Sequence, residues 1–164
     1  MNILVLCTGN SARSILGEVL INSLDGDRFH AFSAGSKPVG RVNPGAIAKL
    51  DREGLPTKGL RSKSWDEFAR PESPRIDVVI TVCDSAAGES CPIWPGHPAV
   101  VHWGIPDPAS ADDVDAAFDL AYDRLSRRIT AMAEVKLEDL DNTAVVDALA
   151  VIHAREQDVD LSAG

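Results

Sequence analysis

The sequence predicts an α/β fold of three layers, an open, largely parallel four-stranded sheet with helices on both faces. Three observations carry this. Four short apolar runs, around Ile3, Ala31, Val79 and Val101, are too short for helices and read as strands. Longer stretches around them repeat apolar residues at three- and four-residue spacing, the mark of amphipathic helices. The two kinds largely alternate, and strand-helix-strand order with crossover-length connections gives parallel pairing.

Asn2 to Leu6 is apolar at Ile3, Leu4, Val5 and Leu6, which suits a buried parallel strand ending at Cys7. The polar stretch Thr8-Gly9-Asn10-Ser11-Ala12 follows, then a helix with Leu16, Val19, Leu20 and Leu24 on one face. His30 to Ser33 is a weaker strand, and Ala34-Gly35-Ser36 with Pro38 and Gly40 supplies turn chemistry. Asn43 caps a helix that starts at Pro44, turns Ala46, Ile47 and Leu50 inward, and stops at Gly54. Ser64 and Glu67 have the spacing of a capping box, predicting a short helix over Trp65 and Phe68 before Pro71 and Pro74.

Asp77 to Val82 is the clearest strand, and it runs into Cys83. Asp84 to Pro98 holds Gly88, Pro92, Pro95, Gly96 and Pro98 and is expected to be a loop. Ala99 to Trp103 is the last strand. After Pro106-Asp107-Pro108 a long helix begins near Asp112, with Val114, Phe118, Ala121, Tyr122, Leu125, Ile129 and Met132 inward. Asn142 caps a further helix using Val145, Ala148, Leu149 and Ile152, and Asp158 and Asp160 lead into a frayed end. The expected division is a main domain over 1–137 and an acidic helical extension over 138–164.

Composition narrows the function. The chain has 164 residues, 45% hydrophobic and 25% charged, as in an ordinary soluble domain. A net charge of -9 argues against nucleic acid, whose phosphates it repels. No apolar run approaches the roughly 20 residues of a membrane span. The start lacks the basic and cleavable segments of a signal peptide, so the expected compartment is the cytoplasm. Three cysteines, Cys7, Cys83 and Cys91, are too few and odd in number for a disulfide framework.

Cys7 to Arg13 joins a strand end to a helix start, where backbone N–H groups can curl around a tetrahedral oxyanion. Gly9 and Asn10 tolerate positive φ, and Arg13 offers a planar fork for two oxygens. The same positive field lowers the pKa of Cys7 below the free value of about 8.5, and Ser14 is placed to donate to its sulfur. Asp107, between two prolines just past the last strand, suits a general acid for a leaving oxygen. Hydrolysis needs only Cys7 and water. A second thiol at a neighbouring strand end, Cys83, instead permits attack on sulfur, and Cys91 can carry the disulfide outward. The bland alternatives are a buried strand-end Cys with a surface Arg, an Asp-Pro turn, and two unrelated thiols. Zinc on these cysteines with His97 and His102 has poor ligand spacing.

These residues resemble the arsenate reductases built on the low-molecular-weight protein tyrosine phosphatase fold. The matching stretches are Val5 to Ser14, Ser33-Ala34-Gly35, Asn43-Pro44, Val79 to Asp84, Cys91-Pro92, and His102-Trp103-Gly104 leading to Asp107-Pro108. The resemblance implies a four-stranded parallel sheet, an arsenate or phosphate oxyanion held by Thr8, Gly9, Asn10, Ser11, Ala12, Arg13 and Ser14, Cys7 as nucleophile and Asp107 as acid. It also implies that Cys83 and Cys91 form a relay emptied by thioredoxin, or by glutaredoxin, with no cofactor and no metal. Two departures stand out. Most relatives have Cys where this chain has Ala12, a position outside the relay. Some bind potassium through residues matching Asn10, Glu18, Ser33 and a carboxylate near position 63; Lys63 stands there instead, and its ammonium is expected to balance Glu18. The rival readings are a phosphatase needing only Cys7, Arg13 and Asp107, and an arsenic-responsive protein using the thiols as ligands.

Overall fold

The computed structural model describes residues 1–88 and 94–163. Its sheet has the order β2-β1-β3-β4, from strands β1 (Asn2–Cys7), β2 (His30–Gly35), β3 (Val78–Thr81) and β4 (Ala99–His102). Every neighbouring pair is parallel, with Ile3 beside Val78, Thr81 beside His102 and Cys7 beside Gly35. β1 and β3 are central and fully covered, which is why their residues are apolar on both faces. Alternation splits them: Ile3, Val5, Val78 and Ile80 join one apolar cluster, Leu4, Leu6 and Val79 the other.

The first cluster takes in the inner faces of α1 (Arg13–Asn22), α2 (Pro44–Arg52), α4 (Val114–Ala133) and α5 (Asn142–Ser162). The second face is covered by Phe68 from a single 3-10 turn, Trp65–Phe68, with Ile76 and Trp94. The helical cover is therefore unequal on the two sides. α2 begins as expected, with Asn43 accepting from the Gly45 amide at 2.8 Å and Pro44 in the first turn. The reciprocal box at the 3-10 turn does not form. Ser64 Oγ accepts from the Asp66 amide rather than that of Glu67, and the Glu67 carboxylate is held by Arg61 at 2.7 and 2.9 Å instead of reaching back to the cap.

Two segments depart from the sequence reading. Asp84 to Gly88 is not loop but a short helix, α3. The Cys83 sulfur accepts from the Ala86 amide at 3.4 Å, serving as its cap, a role Cys composition does not advertise. The end of the chain is not frayed at Asp158 and Asp160: α5 continues through Ser162. Asp160 faces α4, where Arg124, Arg127 and Arg128 converge on its carboxylate. Val145, Leu149 and Ile152 enter the main core, and the Trp103 indole donates to the Leu149 carbonyl at 2.9 Å. Among the described residues no helix is long and apolar enough to cross a membrane.

Candidate active site

Cys7 ends β1, and Cys83 lies two residues past the end of β3, so both stand at the carboxyl edge between the two central strands. Chain connections leave this point in opposite directions, and ligands of open α/β sheets bind in such a crevice. The loop from Thr8 to Ala12 is held from outside. The Thr8, Gly9 and Ser11 carbonyls accept from the amides of Lys37, Val39 and Asn43 at 2.9, 3.1 and 2.9 Å. Across a trans peptide the N–H points opposite to its carbonyl, so the amides of Gly9, Asn10 and Ala12 are turned to the inner side.

The left-handed residue in this loop is Asn10, at φ 45°, whereas Gly9 has negative φ. The strain at Asn10 is met by its buried carboxamide, which donates to Ser14 Oγ at 2.8 Å and accepts from the Lys63 amide at 2.9 Å. This corrects two expectations: positive φ does not fall on Gly9, and Ser14 Oγ is engaged by Asn10, with no hydrogen bond to Cys7 among the described residues. The glycine that matters for closeness is Gly35, at the end of β2. A Cβ there would stand 2.4 Å from the Thr8 carbonyl and 3.0 Å from the Asn10 amide, so only glycine lets the cradle rest on β2.

The Cys7 and Cys83 thiols, 5% and 4% exposed, lie close enough for each to be the largest influence on the other's ionisation. Cys83 also accepts from the Thr8 amide at 3.3 Å and contacts the Thr8 hydroxyl at 3.5 Å. The Cys7 thiol, helped by the Thr8 and Ala86 donors against burial, pulls Cys83 down to about 5. The same proximity, with burial, pushes Cys7 up despite Arg13. Both shifts favour the negative charge on Cys83, where the cradle alone suggested Cys7. The physical reason is the second sulfur, which has more donors around it.

Arg13 donates through Nη1 to the Ile105 carbonyl at 2.8 Å, and Nη2 lies 3.9 Å from Asp107 Oδ1. Its Nε is buried with no hydrogen-bond partner among the described residues, an unmet donor at the positive end of the site. Asp107 accepts from the Ala109 amide at 3.0 Å, which fixes its carboxylate beside Arg13. Thr8, Arg13, Cys83 and Asp107 line a cavity of about 680 Å³, and His153 and Gln157 of α5 share its lining. Sequence reasoning did not place α5 here. Cys91 lies outside the described residues.

Behind the cradle, Ser33 Oγ donates to Glu18 Oε2 at 3.2 Å and accepts from Lys63 Nζ at 3.4 Å, so carboxylate and ammonium meet across a hydroxyl. Burial raises the Glu18 pKa, against the attraction of Lys63; burial lowers that of Lys63, against Glu18. Among the described residues no three His, Cys, Asp or Glu side chains converge as metal ligands. His102 is engaged by Thr81 and Asp84.

Residues 2–144 match the low molecular weight phosphotyrosine protein phosphatase family. An arsenate reductase of Halalkalibacterium halodurans is 35% identical over 133 residues, covering 79% of this chain and 92% of its own. Among solved structures, the arsenate reductase of Archaeoglobus fulgidus aligns with a TM-score of 0.59 at 27% identity, over 78% of this chain and 98% of its own. The tyrosine phosphatase Wzb of Escherichia coli K30, solved with sulphate, aligns with a TM-score of 0.60 at 28% identity, over 81% of this chain and 96% of its own. The family match stops at 144, short of His153 and Gln157. With this sheet, this strand-end cradle and these relatives, the chain belongs to the low molecular weight phosphotyrosine protein phosphatase family.

Proposed function

We propose that the chain is an arsenate reductase, with Cys7 as nucleophile, Asp107 as acid, and Cys83 and Cys91 as a disulfide relay. One observation carries the reading: a second thiol, Cys83, stands beside Cys7 at the same strand edge, its sulfur accepting at 3.3 Å from the amide of Thr8, the residue that follows Cys7. A phosphatase has no use for a second thiol beside its nucleophile. Arsenate binds to the inward amides of the Thr8 to Ala12 loop, the Ser14 helix start and the free Arg13 Nε. As the Cys7 sulfur attacks arsenic, its proton passes to Cys83 and on to an arsenic-bound oxygen, while Asp107 protonates the departing hydroxide, which leaves as water. Cys83 then attacks the Cys7 sulfur. The S–S bond forms, the S–As bond breaks, and its electron pair stays on arsenic. One arsenate and two thiols become one arsenite, one water and one disulfide. Cys91 attacks Cys83 to free Cys7, and an external dithiol, thioredoxin or glutaredoxin, reduces the Cys83–Cys91 bridge.

This chemistry belongs to the reducing cytoplasm, where free thiols persist. The catalytic unit is assigned to 1–137, with 138–164 an extension docked against it. Phosphate fits the same cradle, so slow ester hydrolysis accompanies the main activity. Cys83→Ser separates the two. Arsenate turnover with a reductant is expected to vanish while hydrolysis of an aryl phosphate persists; arsenate turnover surviving the substitution would remove the relay.

A further inference from the structure

Thr81 and Asp84 lie on either side of the Val82-Cys83 pair, and both side chains are bound by one residue. His102 stands opposite Thr81 on β4. Its Nδ1 lies 2.7 Å from Thr81 Oγ1 and its Nε2 2.8 Å from Asp84 Oδ1. A carboxylate only accepts, so Nε2 carries the proton toward Asp84, and in the neutral ring the Thr81 hydroxyl donates to Nδ1. The imidazole thereby bridges Thr81, two residues before Cys83, and Asp84, the residue after it. A second observation shows that the pair is built for. A Cβ on Gly104 would stand 2.7 Å from His102 Nε2 and 3.0 Å from Asp84 Oδ1, so any other residue at 104 pushes the two apart. The ring is backed by His153 of α5, at 6.4 Å between centroids, whose Nδ1 accepts from the buried Arg128 at 3.2 Å.

We propose that His102 and Asp84 form a latch that holds the Cys83 turn in its attacking position against Cys7 and Thr8. His102 is a positioning residue here, acting through Asp84 on Cys83. The proposal rests on the relay reading above, in which Cys83 must first meet Cys7 and afterwards leave it to meet a third thiol. Such a sulfur needs a hold that can be undone in every turnover. The Asp84 side chain is 96% exposed, so its bond to His102 competes with water and is weak enough to open.

The test measures disulfide formation without arsenate. Full-length reduced protein is mixed with diamide, a two-electron thiol oxidant, quenched with iodoacetamide, and the Cys7–Cys83 bridge is quantified by peptide mass spectrometry. Asp84→Ala removes an exposed side chain and leaves no buried gap, and it is expected to slow bridge formation about threefold to fivefold, as befits an exposed hydrogen bond that competes with water. Asp84→Asn keeps an accepting oxygen at the same place and is expected to stay near the wild-type rate. Gly104→Ala attacks the latch from the other side and is expected to slow the bridge as Asp84→Ala does. A wild-type rate in both Asp84→Ala and Gly104→Ala overturns the latch, and so does an Asp84→Asn rate as slow as that of Asp84→Ala. Because diamide stands in for arsenate, slowing in these variants of a protein that fails to reduce arsenate would sink the reductase reading and leave the latch in place.

Discussion

The division of one proton between two sulfurs makes a sharp prediction about which cysteine ionises first. At pH 7 a thiol with the ordinary value of 9.0 is about 1% ionised, whereas Cys83, pulled down to about 5, is about 99% ionised, a difference of about a hundredfold. Cys7, pushed up, stays protonated over the same range. Cys83 lines the cavity and Cys7 does not, so the pH midpoint at each cysteine, rather than the relative rate, reports its ionisation. The perturbation is pH, and the assay is iodoacetamide labelling of ligand-free protein between pH 4 and 8, mapped to each cysteine. Cys83 should label with a half-maximal rate near pH 5. Cys7→Ala removes the neighbouring thiol, the largest cause of the Cys83 shift, so the Cys83 midpoint should move up. Labelling of Cys7 with a midpoint below that of Cys83 would show that the cradle alone sets the charge and that the paired-sulfur account is wrong.

Three further outcomes follow from named contacts. Arg13→Lys replaces a planar fork by a point charge and abandons the Nε donor; competitive inhibition by phosphate should weaken by about tenfold to a hundredfold, the cost of a charge-assisted hydrogen bond or two, in steady-state ester hydrolysis. Asp160→Ala leaves Arg128, 1% exposed, without its carboxylate and should cost about 3 to 5 kcal/mol in urea unfolding, as for a broken buried ion pair; a loss below 1 kcal/mol would mean α5 is not anchored there. Lys63 already supplies a cation beside Ser33 and Glu18, so exchanging sodium for potassium should leave both rate and melting temperature unchanged, and a clear gain in either would contradict this.

Much of this architecture is legible in the sequence, because backbone demands have few solutions. Ile3 to Leu6 and Val78 to Ile80 announce buried parallel strands, Asn43-Pro44 a helix start, and Cys7 to Arg13 a strand-to-helix cradle. What escapes is set by partners distant in sequence. α3 forms although its residues punctuate like a loop, since the Cys83 sulfur caps it while being held in place by the Thr8 amide across the sheet edge. Asp160 reads as a solvated acid until three arginines of α4 are seen to face it. Gly35 looks like turn punctuation, whereas its missing side chain makes room for Thr8 and Asn10. The lowered pKa of Cys83 is equally hidden, because no spacing along the chain encodes the Thr8 amide that reaches its sulfur from the neighbouring strand end.

The most direct test of the central claim is a single turnover. Fully reduced protein is mixed with one equivalent of arsenate and no external reductant, then quenched in acid, and arsenite and the cysteine pairings are measured together. The account predicts one arsenite per molecule, matched by one disulfide that begins as Cys7–Cys83 and ends as Cys83–Cys91. Free thiols throughout and no arsenite, in protein that still cleaves an aryl phosphate, would contradict it.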